Sequence, residues 1–386
     1  MIKRVNLIGF ACITVFCVLL IFSYNQKAII PNVPLYGEQH VVEDYLYNLS
    51  TTPFIREVLY RQKFALDQEA RDYAFPHGES LKDYAMVSGG KPLRSIILTT
   101  WRSGSTFLGD ILNAVPATYY HYEPLLDYGI VQIRGAPLAE TALTALKNLL
   151  NCDYDEMQAY LEYGKTHTYL FTHNTRLWNR CEPSHLCWDA SFLNEFCKLF
   201  PFQMMKIVRL RLKLAEELLR DESLNVKVVL LVRDPRGTLQ SRKHRDWCPG
   251  NADCDKPDLL CADMVSDYNA AVQLAEKYPN TFKAVRYEDL SLNPRTMTKD
   301  IFDFYGLKFH ANVNDFLESH TKSNIGGVSS TFRDSRSAPF HWRSDLNASE
   351  VQYIEESCEK AMRLWGYVKH KPYARDTDTL TSFSIV

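Results

Sequence analysis

From Arg94 onward, short apolar runs alternate with stretches of helical periodicity. Residues 95–100 precede 106–114, residues 206–210 precede 213–220, and residues 226–232 precede 235–243. Continuous apolar runs mark strands buried on both faces, and a helix after each one is the crossover that joins parallel neighbours. The pattern predicts an α/β domain with a central parallel sheet flanked by helices. An aromatic run over residues 119–122 reads as a further strand. Near the end, Val351, Ile354, Cys358, Ala361, Met362 and Trp365 keep helical spacing up to Gly366, a residue suited to terminate a helix.

The chain before this pattern reads differently. Residues 5–24, "VNLIGFACITVFCVLLIFSY", run for 20 positions without a charge, enough to cross a hydrocarbon core of about 30 Å as a helix. Lys3 and Arg4 precede the span and no comparable basic cluster follows closely, which predicts a cytoplasmic N-terminus. Bulky Phe22 and Tyr24 stand where a signal-peptide cleavage site would need small residues. Residues 25–90 mix prolines, polar positions and a helix-like patch over 54–74, ending in a turn-prone "SGGKP". The expected layout is a cytoplasmic tail (1–4), one transmembrane signal anchor (5–24), a luminal stem and lead-in (25–90), a catalytic domain (91–375) and a C-terminal tail (376–386).

Cysteine usage fits a luminal domain. Cys12 and Cys17 fall in the span, and Cys152, Cys181, Cys187, Cys197, Cys248, Cys254, Cys261 and Cys358 remain, an even number without any C-x-x-C pair. Disulfides are expected rather than zinc. Short closures of Cys181 with Cys187, and of Cys248 with Cys254 or Cys261, are expected among them. Asn48 and Asn347 begin glycosylation sequons, and Asn347 is equally placed to start a helix.

Composition adds one exclusion. The 386 residues are 46% hydrophobic, and 44 basic residues against 46 acidic ones give a net charge of −2. No global field attracts nucleic acid, so any anion site is local.

Two stretches carry such a site. In "TTWRSGSTFLGDIL" (99–112), small residues Ser103, Gly104 and Ser105 lie between a strand and a helix, where backbone amides and the helix N-terminus favour an anion. A lysine after Gly104 is missing, so this is not a Walker loop, and Arg102 is the nearby cation. In "VVLLVRDPRGTLQSRKHR" (228–245), an apolar strand ends at Arg233, Pro235 stands at a natural first helical position, and Ser241 adds a hydroxyl. An arginine at the carboxyl end of a sheet strand can grip a phosphate through paired hydrogen bonds.

These stretches, with "HYEPL" (121–125), "RYEDL" (286–290), "HWR" (341–343) and "LWGY" (364–367), resemble the Golgi carbohydrate sulfotransferases that sulfate the 6-hydroxyl of galactose, N-acetylglucosamine or N-acetylgalactosamine. The resemblance covers about residues 94–368. It implies a P-loop-NTPase-like sulfotransferase domain using 3′-phosphoadenosine 5′-phosphosulfate (PAPS) without a metal. Arg102, Ser103, Gly104, Ser105, Thr106 and Phe107 would take the 5′-phosphosulfate, and Arg233 and Ser241 the 3′-phosphate. It further implies a glycan acceptor (keratan sulfate, chondroitin sulfate or N- and O-linked chains), a type II protein of the Golgi membrane and room for a homodimer.

The remaining chemistry is read from residue types. Sulfuryl transfer needs in-line attack, compensation of charge on the leaving oxygen and removal of the hydroxyl proton. Glu123 is the candidate base, although Pro124 also suits a helix start that Glu123 would cap. His121 is the alternative base. Lys206 either supplies charge at the sulfuryl group, together with Arg102, or is a strand-edge lysine. Arg333, Arg336, Trp342 and Arg343 lie in one segment, with Arg343 the further nucleotide contact. Two rival functions stay open: a luminal ATP-dependent glycan kinase and a catalytically silent glycan-binding relative.

Overall fold

The computed structural model describes residues 46, 49, 51–76, 79–326, 331–371 and 375–385. The apolar span at 5–24, with Cys12 and Cys17, and the sequon at Asn48 lie outside the described residues. Among the described residues no helix is long and apolar enough to cross a membrane.

Five strands form one sheet in the order β2-β3-β1-β4-β5, with β1 at Leu93–Leu98, β2 at Thr118–Tyr122, β3 at Phe202–Ile207, β4 at Val226–Val232 and β5 at Phe282–Arg286. Every pairing is parallel. β1 is the central strand, with Leu98 facing Ile207 of β3 on one side and Leu230 of β4 on the other. The chain leaves β1 toward β2 and leaves β4 toward β5, in opposite directions across the sheet. The carboxyl ends of β1 and β4 therefore flank the point where strand order reverses, the place at which open α/β sheets bind ligands.

The expected strand at 206–210 lies four residues earlier. Gln203, Met204 and Met205 lack the β-branched signature of a strand, but the register with β1 buries all of β3 and ends at Ile207 because β1 ends opposite it. Leu210 instead bridges Ile133. The expected C-terminal helix is two, Ala348–Ser357 and Glu359–Leu364, broken at Cys358, which is bonded to Cys261 of the long helix Pro257–Lys277. Asn347 caps the first of these, accepting from Glu350 N at 2.9 Å.

All eight cysteines outside the apolar span pair. Cys181–Cys187 closes as expected, and Cys248 takes Cys254 rather than Cys261. Cys152–Cys197 and Cys261–Cys358 join elements far apart in sequence. Within the segment read as stem, the helix Pro53–Glu69 turns Ile55, Leu59, Gln62 and Leu66 inward, and Arg180 Nε donates to Gln62 Oε1 at 2.9 Å. At the other end, Leu380 bridges Tyr367 and the Phe383 ring lies against Trp365.

Candidate active site

The loop after β1 folds across the carboxyl end of the sheet because Thr99 Oγ1 donates to Leu231 O at 2.6 Å and shares a hydrogen bond of 2.7 Å with Ser103 Oγ. Ser103 is wholly buried by this contact and supports the loop from beneath. Arg102 and Gly104 both take left-handed backbone, with φ of 65° and 85°. A Cβ at Gly104 would sit 2.2 Å from the Tyr287 ring, so glycine alone fits there. The helix Ser105–Asn113 then begins with its first amides toward a cavity of about 620 Å³, lined by Arg102, Gly104, Ser105, Thr106 and Phe107 among others.

β4 delivers the second loop to the same cavity. Asp234 caps the helix Pro235–Lys243 by accepting from Arg236 N at 2.8 Å. Arg236 itself is buried between Asp234 and Glu355 and is structural. Arg233 Nη1 donates to Arg102 O at 2.9 Å, and its guanidinium lies 4.8 Å over the Tyr287 ring. Its buried Nε has no hydrogen-bond partner among the described residues. Arg102 Nε donates to Ser241 Oγ at 3.0 Å. Burial, then the like charges of Arg245 and Arg233, push the Arg102 guanidinium down to about 10, so it stays cationic at neutral pH. Like charges crowded at a helix N-terminus repel one another, and a polyanion relieves that repulsion.

β2 and β3 supply the third part. Glu123 follows β2 with φ of 45°, another left-handed backbone, and its N–H donates to Lys206 O at 3.1 Å. Strain of this kind persists where surrounding contacts fix it. The Glu123 carboxylate accepts from Lys206 Nζ at 2.9 Å and from Arg209 Nη1 at 3.0 Å. Burial alone would raise this carboxyl, but Lys206 and Arg209 outweigh it and hold it at about 2. The expected alternative, Glu123 as a helix cap, is not realised: only a short 3-10 turn, Leu126–Tyr128, follows. Lys206 is buried mid-sheet and lies 3.7 Å over the Tyr122 ring, so it is no strand-edge lysine.

Residues 92–366 match the family described as the sulfotransferase domain. The chain belongs to the sulfotransferase family. Two relatives are carbohydrate sulfotransferase 5 of Mus musculus, 27% identical over 72% of this chain and 81% of its own length, and carbohydrate sulfotransferase 6 of Homo sapiens, 26% identical over 73% and 82%. Among solved structures, the sulfotransferase domain of a Synechococcus olefin synthase covers 70% of this chain and 94% of its own, at 18% identity and a TM-score of 0.38.

Not every expected residue of this sulfotransferase reaches the cavity. His121 is buried in β2 away from it, and burial, aided by Arg94, pushes its imidazole down to about 3, leaving it neutral. Arg343 turns outward, with Nε 3.3 Å from Asp376 and Nη2 donating to Arg375 O at 3.0 Å. Trp342 is buried under Arg236, and from the same segment Thr331, Arg333, Ser335, Ala338 and His341 line the cavity. Residues not foreseen are Arg209, Trp101, Tyr122, Tyr287, Arg245 and Trp247. Arg209 was visible in "MMKIVRL" as a second cation three residues beyond Lys206. Tyr287 packs as the ring between Gly104 and Arg233. Among the described residues no group of three or more His, Cys, Asp or Glu is placed to hold a metal.

Proposed function

We propose that this sulfotransferase moves a sulfuryl group from PAPS to a sugar hydroxyl, the 6-hydroxyl of galactose, N-acetylglucosamine or N-acetylgalactosamine, on glycoprotein or proteoglycan glycans. The observation that carries this reading is the junction of Arg102 with Arg233 and Ser241, which joins two distant anion-binding loops beside Glu123. A nucleotide bearing two separated anionic groups suits two such loops. The buried, unpartnered Nε of Arg233 and the amides after Gly104 fit the demands of its phosphates.

PAPS, when bound, supplies an activated sulfuryl group whose leaving group is a stabilised phosphate. Arg102 and residues 104–107 hold its phosphosulfate end, and Arg233 and Ser241 hold its 3′-phosphate. Glu123 accepts the proton of the attacking hydroxyl. Lys206 and Arg209 fix the two Glu123 oxygens, and Lys206 places positive charge beside Thr106, 3.5 Å from its Oγ1. Electrostatic placement of this kind dominates group transfer with a good leaving group. That the relatives are carbohydrate sulfotransferases favours sugars as acceptors. Pairing of all eight cysteines outside the apolar span supports an oxidising lumen, and with residues 5–24 as anchor we place the chain in the Golgi membrane, type II.

The test is a labelled-donor assay against a panel of neutral and sulfated glycans, run with PAPS and with ATP plus Mg²⁺, each with and without chelator. Sulfate recovered on carbon 6 of one of the three sugars is expected with PAPS alone. Transfer from ATP, or nucleotide binding with no acceptor modified, would overturn the reading.

A further inference from the structure

A second wall of the cavity lies outside the residues proposed to hold the donor's phosphates. Trp101, Ile130, Val208, Arg209 and Trp247 line it, and Trp101, Val208, Ile130 and the Cys248–Cys254 disulfide form a small apolar cluster separate from the main core. Contacts run without a break from this wall to the candidate base. Trp247 meets Trp101 edge-on with ring centres 6.2 Å apart, the Arg209 guanidinium lies 5.4 Å over the Trp101 ring, and Arg209 donates to Glu123.

The loop that carries Trp247 is fixed from several sides. Cys248 bonds to Cys254, and Arg242 donates to Cys254 O at 2.8 Å and to Trp101 O at 3.1 Å. Asp253 accepts from Gln132 N at 2.7 Å and pairs with Arg134 at 2.7 Å. Asn251 Nδ2 donates to Trp247 O at 2.8 Å. Yet Trp247 is 38% exposed, whereas Trp101 beneath it is 4% exposed. A large apolar ring held on a braced loop, with one face on a cavity, is a preorganised surface for a flat apolar ligand face. Donor phosphates have no use for it, and an unchanged KM for PAPS in Trp247→Ala excludes the donor's adenine as its occupant.

On the reading that the acceptor is a glycan, the geometry points to Trp247 as a stacking platform for the pyranose next to the one that receives sulfate. The C–H face of a pyranose packs on an indole while its hydroxyls stay hydrated. Trp247 and Glu123 line the same cavity and connect only through Trp101 and Arg209, so the sugar on the platform is not the one whose hydroxyl reaches Glu123. Trp247 is then a specificity-determining residue for chains over single sugars.

The experiment compares kcat/KM for methyl glycosides of galactose, N-acetylglucosamine and N-acetylgalactosamine with that for the disaccharides joining them, in the full chain and in Trp247→Ala and Trp247→Phe. The wild type is expected to prefer disaccharides, Trp247→Ala to lower the disaccharide-to-monosaccharide ratio about tenfold through KM, and Trp247→Phe to restore most of it. An unchanged ratio in Trp247→Ala overturns the platform while leaving glycan sulfation standing. A wild type that sulfates none of these sugars overturns the glycan reading and the platform with it. The KM for PAPS and the melting temperature, followed in the same variants, separate a loss of stacking from a collapsed site.

Discussion

Arg102 and Ser241 lie 139 residues apart in the chain, and a hydrogen bond of 3.0 Å from Nε to Oγ joins them at the mouth of one cavity. Arg102 belongs to the turn after β1, and Ser241 to the helix Pro235–Lys243 that the turn after β4 begins. Their junction makes the two turns one site, and the consequences can be measured.

Arg233→Ala removes a cation that braces Arg102 O and faces the cavity. A charge-assisted contact is worth about 2 kcal/mol, or roughly thirtyfold in affinity. Isothermal titration with adenosine 3′,5′-bisphosphate should show a loss of at least that size for Arg233→Ala and a smaller one for Ser241→Ala. Unaltered affinity in both variants would place the 3′-phosphate elsewhere.

Glu123→Gln keeps the shape of the site and removes the proton acceptor. The expected loss in kcat is about 10²–10⁴-fold with nucleotide affinity retained. Arg209→Ala removes one of the two charges that hold the Glu123 carboxyl at about 2, so the acid limb of the kcat/KM profile should move upward in pH. The same depressed value has a stability consequence. The pairing stabilises the fold above the ordinary carboxyl value of 4.5 and is lost as pH falls from there toward 2.

Glu288 shows the opposite sign. Burial, then the charge of Asp234, raises its carboxyl from 4.5 to about 7, although Asp234 N donates to Oε1 at 3.0 Å and Tyr367 Oη to Oε2 at 2.9 Å. The folded chain holds this proton where the unfolded chain has released it, so stability falls as pH rises from 4.5 to 7 and the cost is constant above. Thermal melts between pH 5 and 8 should show a shallower fall for Glu288→Gln than for the wild type. Parallel slopes would mean that the carboxyl is already ionised in the fold.

The disulfides should differ in weight. Cys261–Cys358 closes 97 residues, and Cys181–Cys187 closes 6. Loop entropy assigns the long one about 4–5 kcal/mol and the short one about 2–3. Cys358→Ala should therefore lower the denaturant midpoint more than Cys187→Ala. Equal midpoints would make local packing, not loop closure, the dominant effect.

Four of the five strands, the helices after β1, β3 and β4, the strand-to-helix turns at Gly104 and Pro235 and the even set of eight cysteines were legible in the chain, because burial periodicity, Gly104 and Pro235 are local signals, whereas β5 and the helices between β2 and β3 were not foreseen. β3 was read too late in the chain because its partner β1, not its own residue types, decides where it begins and ends. The sequence determined that two turns can bind anions and that Glu123 lies near a strand end. Tertiary structure alone decided that Lys206 and Arg209 take both Glu123 oxygens, that His121 and Arg343 face away from the cavity, and that Trp247 faces into it. Those outcomes follow from strand register and crossover geometry, which bring residues together across a hundred positions, and no local pattern encodes which side chain a neighbour will meet.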